Sequence, residues 1–155
     1  MSDWRRIDID AYEPDKFLSK EELVPDLPET PYSEIQKVSQ QSRTYLSSGK
    51  FSEALALVLD TPPYVSDEQT KETHTETVFE VLCSIRNNHQ VGELKSFIQS
   101  LTLDQQDVLV KYLYKTMGKS YGAKQGGLLL NWFEKVVEVS GEGPIVRYLA
   151  DRRTV

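Results

Sequence analysis

Cysteine is nearly missing from this sequence: Cys83 is the single one among 155 residues. One thiol cannot build an internal disulfide framework, so an apolar core has to hold the fold together. Apolar runs of roughly 18 residues or more, and a secretory leader, are also missing. That excludes a membrane-spanning helix and makes a soluble, cytoplasmic protein the expectation. Positive charge is scarce, with 18 Lys and Arg against 24 Asp and Glu, a net charge of −6. Neither charge attraction nor counterion release is then on offer to nucleic acid or an anionic membrane.

Histidine is scarce too. His74 and His89 stand fifteen residues apart without a nearby cysteine, and Glu72 and Glu76 flank His74 at spacings that do not share a helix face. The reading is two ordinary surface histidines, with no metal and no cofactor. Gly118-Lys119-Ser120 looks like the end of a phosphate-binding loop, but Leu113 stands where the first glycine belongs and a helix, not a strand, precedes it. Cys83 has no basic neighbour closer than Arg86, so it reads as a small core or boundary residue rather than a nucleophile. No nucleophile, base and oxyanion donor can be assembled, and the chain is not expected to be an enzyme.

What is present divides in two. Residues 1–30 hold nine acids against four bases, whereas residues 31–155 hold 15 against 14. Four of the seven prolines, Pro14, Pro25, Pro28 and Pro31, fall within residues 1–31, where they bar a long helix. The expected division is an extended acidic partner-binding arm and linker over residues 1–31 and a helical domain over 32–155. About 155 residues in one domain bury roughly 68–70% of the surface the unfolded chain exposes, enough for a core without a staple.

From Ser33 the apolar spacing follows the helical period. Helices are predicted over 33–48, closed by Gly49; over 52–59, with Ser52 as N-cap and Thr61-Pro62-Pro63 as stop; over 67–88; and near 91–100. Thr102-Leu-Asp-Gln105 reads as a capping box for a fifth helix, 104–117, too apolar for a single stripe and therefore buried on several sides. Residues 118–127, with four of the eight glycines, are expected to be a loop. A sixth, central helix follows through Leu128 to Val137, and Pro144 opens a last one with Arg147, Arg152 and Arg153 towards its C-terminal end. The expected class is all-α: a single domain of about seven helices in antiparallel hairpins, α-α superhelix-like.

YLSSGKFSEALALVL, residues 45–59, looks like the hairpin of a tetratricopeptide repeat, but a second copy is missing about 34 residues on, where FEVLCSIRNNHQVGE stands. A free-standing helical adaptor of that type is therefore the alternative function.

The arm itself starts WRRIDIDAYEPDKF. Ile7, Ile9 and Ala11 alternate with polar residues as in a strand with one buried face, although an all-α body has no sheet for it to join. Trp4, Tyr12 and Phe17 are residue types depleted in disordered tails, so the arm reads as a segment that orders on a partner. WRRIDIDAYEPDKF, VKYLYKTM at 110–117, LLNWFEK at 129–135 and PIVRYLADRRTV at 144–155, in this order, resemble the family of the smallest, 16 kDa subunit of the actin-related protein 2/3 complex. The resemblance implies a non-catalytic α-helical subunit of an assembly that nucleates branched actin filaments at the cytoplasmic actin cytoskeleton. It implies that Trp4, Arg5, Arg6, Ile7, Ile9, Tyr12 and Phe17 tether the second actin-related protein. It further implies that the body, through Ile145, Val146, Arg147 and Tyr148, faces the β-propeller subunit and the 20 kDa subunit.

Overall fold

The computed structural model describes residues 27–155, and every described element is helical. The order is α1 (Tyr32–Ser47), α2 (Phe51–Asp60), α3 (Glu68–Asn88), a 3-10 turn (Val91–Glu93), α4 (Leu94–Gln99), α5 (Leu103–Met117), α6 (Ser120–Lys124), α7 (Gly126–Ser140) and α8 (Gly143–Ala150). Among the described residues no helix is long and apolar enough to cross a membrane.

Short connections make α1, α2 and α3 a run of antiparallel neighbours. Gly49 turns the first hairpin at φ +76°, the left-handed region where glycine carries no Cβ penalty. The amide of Lys50 closes that turn on the Tyr45 carbonyl at 2.9 Å. Ala54, fully buried, lets α1 and α2 approach, so the repeat-like look of residues 45–59 is the signature of one tight hairpin. Ser52 does not cap α2. The helix begins a residue earlier, at Phe51, with Lys50 at the N-cap position and no side-chain cap.

Helix α5 occupies the centre, packed against α2, α3, α6, α7 and α8. Its capping box forms as read: Thr102 Oγ1 accepts from the Gln105 amide at 3.2 Å, and Gln105 Oε1 accepts from the Thr102 amide at 2.9 Å. Val108, Leu109, Val110, Tyr112 and Leu113 are all buried, which explains why no single apolar stripe is visible in its sequence. Helix α7 crosses it and buries Leu129, Trp132 and Val136, with Trp132 Nε1 donating to the Leu82 carbonyl of α3 at 3.2 Å. Only that face is buried, because Leu130 on the other side is 58% exposed.

Three further expectations need correction. Residues 118–127 are not a loop: α6 fills Ser120–Lys124 and α7 starts at Gly126. Among the glycines there, Gly122 permits a close approach, since a Cβ on it would stand 1.8 Å from the Thr116 carbonyl oxygen and 3.3 Å from Leu129. Arg152 and Arg153 lie beyond the end of α8 at Ala150. The histidines are not surface residues. His74 is fully buried, its Nε2 2.9 Å from the Val58 carbonyl, and half-buried His89 is wedged edge-on between Phe51 and Phe97. Cys83 is half-buried, and that burial raises its thiol pKa, which disfavours the nucleophilic thiolate.

Two stability predictions follow from this core. Gly122→Ala has to push α6 off Thr116 and is expected to cost about 1–3 kcal/mol, while Gly127→Ala, with open space around its Cβ position, is expected to be neutral or stabilising by up to about 1 kcal/mol. Thermal melts of the two variants side by side test the close approach. The second concerns pH. Burial, partly opposed by the hydrogen bond to Val58 and reinforced by Lys115, lowers the His74 pKa from 6.5 to about 4. The unfolded chain therefore takes up the proton first as pH falls, and stability complete above pH 6.5 is lost between 6.5 and about 4. Urea unfolding is expected to show a loss on the order of 2–3 kcal/mol across that window, largely removed in His74→Gln. Equal slopes in the two proteins would refute the assignment.

Candidate functional site

Helices α5, α7 and α8 come together around Tyr114. Its ring meets Phe133 of α7 edge-on at 5.5 Å and stacks on Tyr148 of α8 at 4.5 Å with an interplanar angle of 6°. This aromatic stack seats the inner side of α8. Pro144 is buried, Ile145 and Tyr148 are half-buried, and the outer side carries Val146 at 62% and Leu149 at 75% exposure. The sequence-predicted body residues thus divide: Ile145 and Tyr148 turn inward, Val146 turns out, and Arg147 reaches back to α5. Its guanidinium grips Asp107 through Nε at 2.6 Å and Nη2 at 2.7 Å, and this hydrogen-bonded carboxylate raises its pKa. Fork-to-fork pairing of this kind fixes orientation as well as charge.

After α8 the chain folds back. Lys111, only 5% exposed on α5, donates to Asp151 Oδ2 at 2.6 Å and to the Tyr64 hydroxyl at 3.2 Å. Burial alone raises the Asp151 pKa, but hydrogen bonds from Arg153 and Lys111 outweigh it and hold the carboxyl well below the usual range. Lys71 of α3 donates to the Thr154 carbonyl at 2.9 Å, and Lys115 of α5 to the Val155 carbonyl at 2.6 Å, while the Val155 side chain is buried. Lys111 and Arg153 also lie over the Tyr64 ring, 4.5 and 5.2 Å from its centre. Residues 151–155 are therefore a strap on α3 and α5. Between the strap, α8, the start of α5 and the end of α2 lies a cleft of about 670 Å³ lined by Asp60, Asp104, Asp107 and Arg147 among others.

This arrangement offers shape and apolar surface for docking. Among the described residues no group of three His, Cys, Asp or Glu side chains is placed to hold a metal ion. Trp4, Arg5, Arg6, Ile7, Ile9, Tyr12 and Phe17 lie outside the described residues. Sequence reasoning missed Leu149, Leu130 and the Lys111–Asp151 pair. The signal for the last was present in VKYLYKTM, where a lysine stands in an apolar stretch and so needs a buried partner.

An all-α body that exposes the apolar Val146 and Leu149 on its last helix belongs to the class of helical domains. A family model described as ARP2/3 complex 16 kDa subunit (p16-Arc) matches residues 3–155. Actin-related protein 2/3 complex subunit 5 of Saccharomyces cerevisiae is 44% identical, the alignment covering 99% of each chain. Subunit 5-C of Xenopus laevis is 32% identical over 98% of this chain and 94% of its own, and the human subunit 5-like protein 30% over 99% and 95%. The chain belongs to the family of the 16 kDa subunit of the ARP2/3 complex, a non-catalytic structural component.

Asp151→Ala leaves the Lys111 ammonium buried without its carboxylate. The expected cost is about 2–4 kcal/mol by denaturant unfolding, with the double variant Lys111→Met, Asp151→Ala recovering much of it. No recovery would show that the pair is not the strap's main attachment.

Proposed function

We propose that this chain is a structural subunit of an actin-related protein 2/3 complex, in which it tethers an actin-related subunit to the complex core and so supports nucleation of branched actin filaments at the cytoplasmic actin cytoskeleton. The observation that carries this reading is the match to a complex subunit along almost the whole chain, arm included. Residues 1–31 act as arm and linker and residues 32–155 as the docking body. Trp4, Arg5, Arg6, Ile7, Ile9, Tyr12 and Phe17 bind the second actin-related protein, with aromatic, Arg and Ile side chains serving as anchors. The body docks on the β-propeller and 20 kDa subunits, and the outward apolar side chains of α8, Val146 and Leu149, support that use of this face.

The mechanism is one of effective concentration. A partner held by an extended arm stays near the core while remaining free to reorient, so the actin-related proteins can rearrange into a filament-like pair without dissociating.

Quantitative mass spectrometry of proteins copurifying with the tagged chain is expected to find actin-related proteins and a β-propeller subunit in equimolar amounts; variable, substoichiometric clients would overturn the reading. Removing residues 1–17 is expected to leave helicity and melting nearly unchanged while releasing the actin-related partner. Changing Ile7 and Ile9 to Asp is expected to weaken that contact by about 2–4 kcal/mol. Val146→Asp with Leu149→Asp is expected to spare the arm contact and loosen the body's docking, so the two surfaces are tested apart.

A further inference from the structure

Three buried polar atoms on the neighbouring helices α3 and α5 have no hydrogen-bond partner among the described residues: Thr70 Oγ1, His74 Nδ1 and the Tyr112 hydroxyl. Their residues are at most 1% exposed. Thr70 and His74 are one turn apart on α3, and helical side chains lean towards the N-terminus, so the imidazole lies over the turn that carries Thr70. The Tyr112 ring stands 5.5 Å from it, centre to centre, tilted by 59°.

The chemistry of the three atoms is complementary to a single small ligand. The Val58 carbonyl 2.9 Å from His74 Nε2 can only accept, so Nε2 carries the ring proton and Nδ1 is left as an acceptor. The Tyr112 hydroxyl has a proton to donate. Thr70 can do either, and it differs from its neighbours: Thr73, Thr75 and Thr77 each donate to the carbonyl four residues back, whereas the equivalent carbonyl for Thr70 belongs to Ser66, outside the helix.

We propose that one internal water molecule is a constitutive part of this seam. It donates one hydrogen to His74 Nδ1 and the other to Thr70 Oγ1, and it accepts from the Tyr112 hydroxyl. Roughly three hydrogen bonds is the usual complement of a buried water, and a donor, an acceptor and an adaptable hydroxyl supply it. The strap bridges the same two helices beside the site, since Lys71 adjoins Thr70 and Lys115 lies three residues past Tyr112. The water joins α3 to α5 where direct side-chain contacts leave polar groups over, and it holds the buried imidazole in one tautomer.

The direct test is a crystal structure of the full chain in its complex, at a resolution that shows ordered water. Density is expected within roughly 2.7–3.2 Å of all three atoms. A Tyr112→Phe variant, made in the full chain, gives an independent readout. With water present the change removes a made hydrogen bond, and melting is expected to fall by about 2–5 °C. In a dry seam the same change removes an unmet polar group and melting rises. A seam without density, or melting unchanged or raised, overturns the proposal; should the variant not fold, the structure of the unaltered chain decides alone.

Discussion

Lys111 is a charge on the central helix of the described residues, and the way it is met organises much of what surrounds it. An ammonium at 5% exposure is tolerable only with a carboxylate and further acceptors at hand. Asp151 supplies the carboxylate at 2.6 Å and Tyr64 a hydroxyl at 3.2 Å. Because Asp151 lies just past α8, satisfying Lys111 fixes where α8 ends and turns the following residues back across α5 towards Lys115 and Lys71. The same rule governs Gln106 on that helix. Its amide donates to the Ile98 and Leu101 carbonyls at 3.1 and 3.3 Å, and its oxygen accepts from Ser140 at 2.7 Å, which joins α4 and α7 to the centre. A helix wrapped by neighbours cannot send its polar groups to water, so each becomes a fastening point.

What α5 fastens on one side, it leaves free on the other. Tyr114 holds Tyr148 and Phe133, Asp107 holds Arg147, and the consequence is a short helix whose outer side chains stand in fixed positions in solvent. Eight residues of α8 would be marginal as an isolated helix. Its order comes from tertiary contacts, and a surface already ordered loses less conformational freedom when it binds. That is the physical reason an exposed Val146 and Leu149 suit the docking proposed for them.

The helices were legible because burial of one face imposes the 3.6-residue period, and the capping box at Thr102 and the left-handed Gly49 are local devices that need no tertiary knowledge. The central place of α5 was legible from its excess of apolar residues. What could not be read depends on neighbours distant in sequence. Gly122 looks like any loop glycine until Thr116 is seen to occupy the space its Cβ would need. His74 sits among glutamates and threonines on a helix that looks polar there, yet α2 covers it and the Val58 carbonyl accepts its hydrogen bond. Of the proposed body site, Arg147 and Tyr148 stood in a recognisable stretch, but only folding separates the inward Tyr148 from the outward Val146 and Leu149. Lys111 and Asp151, forty residues apart, carry no joint signal beyond the oddity of a lysine in an apolar run.

Arm and body solve different physical problems, and their compositions follow. The body holds nearly equal numbers of acids and bases, so many of its charges can be used in pairs that set geometry, as at Lys111–Asp151 and Arg147–Asp107. Residues 1–30 have nine acids and only four bases, so their charges cannot balance within the segment. Their apolar residues, Ile7, Ile9 and Trp4 among them, likewise call for a surface. In the body the strap and the aromatic stack seat side chains from α3, α5, α7 and α8 against one another, which leaves Val146 and Leu149 on the outward face of α8, the face proposed for docking. In the proposed function, attachment of the body and attachment of the arm rest on separate sets of residues, so each would weaken or strengthen without unfolding the other. The proposed tether needs that independence, because the body would have to stay seated while the arm's partner moved.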